Sequence, residues 1–109
     1  MIITTGNDVA TGEIVEYLGV VRGIVVRSPN IGQGFIGGLK SIVGGNIEEF
    51  AQVCEAARLE AFNRMIAHAH QIGANAIIGM RYDATEFSDS TTEVLAYGTA
   101  VKLKMKDEK

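Results

Sequence analysis

The groups able to do chemistry in this chain are few: one cysteine, two histidines, a set of carboxylates and an arginine inside an apolar helical pattern. Cys54 could serve as a thiolate metal ligand or a redox sensor. It has no CxxC partner and no second cysteine, and a free cysteine commonly behaves as a small buried hydrophobe. Its place one turn after Phe50 favours a core role. His68 and His70 invite a metal reading, but residues at i,i+2 on a helix point about 200° apart. A helical zinc pair needs i,i+4 spacing. His68 shares a stripe with Cys54, yet the positions between them at ~1.5 Å rise per residue separate the two backbones by about 21 Å. Capped or solvated roles are expected for both histidines.

Asp83, Glu86, Asp89 and Glu93 could bind a hard cation if they converged across subunits. The D-x-D-x-D-G loop is absent, and a solvated turn is the better reading. The glycine-rich segment Gly32–Gly45 has neither a GKS/GKT ending nor a GxGxxG pattern, so tight packing is preferred over a phosphate loop. Arg58 lies at the edge of an apolar stripe and needs a carboxylate or carbonyl if partly buried. Glu13, Glu16 and Asp83 are available. A structural or interface ion pair between Arg58 and Asp83 is expected, with a ligand anion as the alternative. No GxSxG, HExxH or Cys-His set is present. The chain is therefore read as a non-enzyme, with no cofactor.

The elements that position these residues can be read from periodicity. Ile2–Thr5 suits a short leading strand. Glu13–Arg27 predicts a long strand closed by Pro29, apolar on both faces, with Gly19 and Gly23 marking a bend, a bulge or a close approach. Asn30–Gly45 predicts a loop and a short helix at Phe35–Val43. A long helix is expected over Ile47–Ile72, with Asn46 as N-cap, Glu49 as capping-box partner and Gly73 as the stop. Its main stripe is Phe50, Val53, Cys54, Ala57, Ala61, Met65, His68 and Ile72. Leu59, Phe62 and Ile66 make a second stripe, and Glu60–Arg64 an i,i+4 pair. Asn75–Thr85 and Glu93–Met105 predict two strands around a polar turn, Glu86–Thr91.

The chain, 109 residues long, is one domain, residues 1–109. A net charge of −3 argues against a nucleic-acid footprint. Alternate Lys102, Lys104 and Lys106 suit a solvent-facing strand that discourages aggregation. No apolar run reaches the ~20 residues of a membrane span, and the N-terminal stretch lacks a secretory pattern. A cytoplasmic location is expected, with no membrane and no nucleic-acid partner. One helix covers only one face of a small sheet, and the first long strand is apolar on both. Large apolar patches are rarely left open, so the expected partner is another copy of the chain.

Five motifs occur in a telling order: EYLGVVRG at Glu16–Gly23, IVGG at Ile42–Gly45, ARLEA at Ala57–Ala61, GANAIIG at Gly73–Gly79 and GTAV at Gly98–Val101. With this order and spacing the chain resembles the YbjQ family of small bacterial proteins, often labelled heavy-metal-binding, over roughly residues 1–104. The resemblance implies an α+β, dodecin-like β-α-β-β subunit with a small antiparallel sheet packed on one long helix. It also implies a homo-oligomeric ring of five copies. It supplies no reaction. Some relatives carry a cysteine where this chain has Leu18, which counts against a thiol site. The expected function is an oligomeric binding protein taking a metal ion or small molecule at subunit interfaces. A structural or stress-related scaffold without a small ligand is the alternative.

Overall fold

The structure is a computed structural model that describes residues 1–27, 47–88 and 91–106. The elements run β1 (Ile2–Ile3), β2 (Gly12–Arg27), α1 (Ile47–Gln71), β3 (Ala76–Ser88) and β4 (Thr91–Met105). The expected Phe35–Val43 helix and the Asn46 cap lie outside the described residues. The four strands form one sheet in the order β1-β3-β4-β2. β4 pairs antiparallel with both long neighbours, whereas β1 pairs parallel with β3. The expected purely antiparallel sheet is thus corrected to a mixed one. The cause is the start of the chain, which runs beside β3 in the same direction: Thr4 N–H donates to the Ile77 carbonyl and Met80 N–H to the Thr4 carbonyl, both at 3.0 Å.

The helix ends on a Schellman motif. Gly73 adopts φ +84°. Its N–H donates to the His70 carbonyl at 3.1 Å, and Ala74 N–H donates to Ala69 at 3.0 Å. Orphan carbonyls of the last turn are thereby satisfied. Asn75 then uses its side chain as a short strand: Nδ2 donates to the Leu103 carbonyl at 2.9 Å, and Leu103 N–H donates to Oδ1 at 2.7 Å. Ala76, Ile77 and Ile78 follow, all buried. This explains why GANAIIG is apolar without alternation: both faces of the strand are covered.

Ala61, Met65 and Ala69 of α1 pack on Val21, Val25, Ile77, Met80, Ala96 and Ala100. The helix buries mainly alanines, so it lies close to the sheet. At Gly23 it lies so close that a Cβ would run into the Ala61 carbonyl and the Met65 amide nitrogen. The buried helical positions Ala57, Ala61, Met65 and Ala69 repeat every four residues. Leu59 stays exposed, Phe62 packs against the core rim and Ile72 is exposed. The two expected stripes are therefore rotated by part of a turn, and Phe62 changes sides.

A second cluster, Val9, Ala76, Ile78, Val101 and Leu103 with Ile14 against it, holds the opposite face of the sheet. The segment between β1 and β2 closes it, tied down by Gly79 N–H to the Gly6 carbonyl at 2.8 Å and Lys106 N–H to Thr11 at 3.0 Å. Gly79 takes φ +61° at a register shift between Ile78 and Arg81. Gly98 lies opposite that shift, where a Cβ would meet the Ile77 side chain and the Ile78 carbonyl. The hairpin is longer than expected: Glu86 pairs with Thr92 and Ser88 with Thr91, so most of the expected polar turn is strand.

Candidate functional site

Among the described residues, the sequence-expected site residues do not converge within one subunit. Cys54 is exposed, which corrects the core assignment. It falls off the buried Ala57/Ala61/Met65 row, because that row runs at i,i+4 and leaves position 54 at its margin. Arg58 is also exposed, and its guanidinium carbon lies over the Tyr82 ring at 6.0 Å from the centroid. Asp83 Oδ1 accepts the Ala84 N–H at 2.9 Å. Among the described residues no ion pair joins Arg58 to Asp83. The reason is strand alternation: Tyr82 projects from β3 toward the helix side, and Asp83 projects the other way.

His68 is half-buried and accepts the Arg22 backbone N–H on Nδ1 at 3.2 Å. His70 is exposed. The solvated role expected of the pair is what His70 adopts; His68 instead bonds to β2, 46 residues away in sequence, rather than capping its own helix or lying in solvent. Arg64 donates to the Ile24 carbonyl at 2.7 Å and to Glu60 Oε1 at 2.9 Å. This i,i+4 pair was legible in the sequence, but its reach to β2 was not. Glu86 is exposed and Glu93 half-buried on the hairpin; Asp89 and the Gly32–Gly45 segment lie outside the described residues. Among the described residues no three His, Cys, Asp or Glu side chains gather as a metal site.

What the strands do build is a continuous face. Register places Val20 beside Thr99. Arg22, Tyr97 and Arg81 make the next row, Ile24, Leu95 and Asp83 the third, and Val26, Glu93 and Thr85 the fourth. These side chains alternate with Val21, Gly23 and Val25, so they project away from α1. The segment between β1 and β2 covers the near part of this side through Val9. Farther out, Val20 is 68% exposed, Val26 37% and Tyr97 36%. Val15 and Tyr17, at the other end of β2, are also exposed. The face carries both charge signs, Arg22 and Arg81 with Asp83 and Glu93, around Val20, Ile24 and Leu95.

A family model described as "Putative heavy-metal-binding" matches residues 1–104. A UPF0145 protein of Legionella pneumophila (strain Corby) is 61% identical over 101 residues, covering 93% of this chain and 96% of that one. UPF0145 proteins of Solibacter usitatus and Francisella philomiragia are 52% and 48% identical, covering 93% and 95% of this chain and 90% and 100% of theirs. A crystal structure of a protein of unknown function from Pediococcus pentosaceus, assigned to the DUF74 family, shares the fold. Its TM-score is 0.55 at 20% identity, over 95% of this chain and 98% of that one.

Proposed function

Because the chain belongs to the YbjQ family, whose close relatives are uncharacterised UPF0145 proteins, we propose that it is a self-assembling binding protein whose ligand sits between copies. The observation that carries this reading is the uncovered outer half of the sheet. The subunit measures 58 × 23 × 18 Å with a radius of gyration of 17.1 Å, against the ~13 Å expected of a globular chain this long. Among the described residues nothing forms a second layer over the outer part of this face, where Val20 and Val26 are exposed. Apolar sheet faces are stabilised by burial at about 25 cal/mol per Å², and another copy supplies that cover at no cost in new sequence.

The family description points to a heavy metal. Soft ions prefer sulfur and nitrogen ligands, and the soft group here is Cys54, exposed on α1. One such residue per subunit holds an ion only when copies bring several together. The reading is therefore of a homo-oligomeric ring, five copies in the simplest closure, that takes a ligand at subunit contacts and catalyses no reaction. The absence of a three-ligand cluster among the described residues of one subunit favours the scaffold reading if purified rings carry no ligand.

Sedimentation of the purified full chain at low micromolar concentration, with elemental analysis of the same sample, tests both parts. A mass near five times 11.7 kDa is expected. A dominant monomer removes the assembly and with it the ligand site. Rings without metal, and without uptake of zinc, copper(I) or cadmium on titration, leave the scaffold.

A further inference from the structure

Two side chains of α1 reach around the sheet and bond to the outer edge of β2. The Arg22 backbone N–H donates to His68 Nδ1 at 3.2 Å, and Arg64 donates to the Ile24 carbonyl at 2.7 Å. β2 is an edge strand of 16 residues. In an antiparallel pair, alternate residues turn both backbone groups away from the neighbouring strand. Residues 22 and 24 are two of these. Outward-facing groups on a long edge are a template for adding another strand. Gly23 lies between the two bonds, and its missing side chain is what lets the helix backbone come close enough for residues 64 and 68 to reach the edge.

The two bonds differ in how they respond to acid. Arg64 keeps its charge at any ordinary pH and is braced by Glu60 at 2.9 Å. His68 receives a proton donor on Nδ1, so that nitrogen carries a lone pair and the ring hydrogen resides on Nε2. We propose that His68 is a proton-sensitive latch that holds the C-terminal half of α1 over the β2 edge. A proton added at Nδ1 turns the acceptor into a donor facing the Arg22 N–H. Two donors cannot share a hydrogen bond, so the ring turns away and the Arg22 amide opens to solvent or to an incoming strand. Imidazole is the side chain that ordinarily makes this change between pH 5 and 8.

The groups around the latch come from each packed element. On α1 they are Arg64, one turn earlier, with its partner Glu60, and the carbonyl-bearing last turn of the helix. His70 sits about 200° around the axis and is exposed. On β2 the neighbour is Arg22, whose side chain leaves on the face away from the helix. β3 and β4 present Ile77, Met80, Ala96 and Ala100 to the helix, none of which titrates. Arg64 stays on Ile24 throughout, so opening is confined to the edge around Arg22.

Amide exchange of Arg22 in the full chain between pH 8 and pH 5, expressed as protection relative to the unstructured rate, reads the latch directly. Protection at Arg22 is expected to fall about tenfold on acidification, the size of one modest hydrogen bond, and to follow the His68 ring titration by NMR. Protection at Val21 and Val25, which face the core, is expected to stay. In His68→Asn the amide oxygen on Cγ takes the place of Nδ1 and accepts the same N–H without titrating, so Arg22 protection should become independent of pH. A wild-type Arg22 amide that keeps its protection while His68 titrates overturns the proposal, as does a pH dependence that survives in His68→Asn. If the variant does not fold, the joint wild-type titration of ring and amide decides alone.

Discussion

Arg58 shows how one residue's role turns on which way its neighbours point. A guanidinium beside an apolar stripe suggests a stranded charge needing a carboxylate, and removing a partner from a buried pair costs about 3–5 kcal/mol. In the subunit Arg58 is exposed and lies over Tyr82, a contact worth about 0.5–1 kcal/mol at an open site. Arg58→Ala is therefore expected to lower the subunit's unfolding free energy by no more than about 1 kcal/mol. Denaturant unfolding measures this, and sedimentation of the same variant separates folding from assembly. A loss of several kcal/mol, or a fall in mass with folding intact, would return Arg58 to an ion pair across an interface, with Asp83 as the first candidate.

At the scale of elements, the approach of α1 to β2 is the feature on which most else depends. The helix buries alanines, the strand offers Gly23, and the two backbones nearly touch. Gly23→Ala places a methyl group against helix backbone, which cannot swing aside as a side chain can. Overpacking of this kind costs about 1–3 kcal/mol, and the upper end is expected here. The thermal midpoint should fall, and the Arg22–His68 and Arg64–Ile24 bonds should weaken together, since both depend on that approach. A neutral Gly23→Ala would mean that the helix sits farther from the strand. The lysines of β4 also find a role at this scale. Lys104 pairs in register with Glu13 and Lys102 with Glu16, which sets opposite charges facing each other across the strand pair.

The described residues form a long sheet with a helix on one side and a short covering segment on part of the other. Among the described residues no helix is long and apolar enough to cross a membrane. The uncovered rows around Val20, Ile24, Leu95 and Tyr97 carry the assembly reading. Surface substitutions away from contacts usually change stability by within about 0.5 kcal/mol. Val20→Lys should therefore leave the fold of a lone subunit intact, and should split an assembly that buries this face. Circular dichroism checks the first part and light scattering after gel filtration the second. Wild-type mass in a folded Val20→Lys variant would place the subunit contacts elsewhere.

The sequence by itself determined the elements, because their signals are local. Glycine at position 73 stops a helix by backbone freedom, the long β2 and β4 show in their branched and apolar runs, and Glu60–Arg64 follows from helical spacing alone. The family, too, was legible in the order of five short motifs. Tertiary structure decided what those residues touch. The parallel pairing of β1, the side-chain bonding of Asn75 to Leu103, and the reach of His68 and Arg64 to β2 join positions distant in sequence, where periodicity carries no information. The exposure of Cys54 and the separation of Arg58 from Asp83 within one subunit were decided there as well. A hydrophobic stripe fixes a helix face only to within part of a turn, and a strand sends adjacent residues to opposite sides, so a small rotation or a single register step exchanges core for surface.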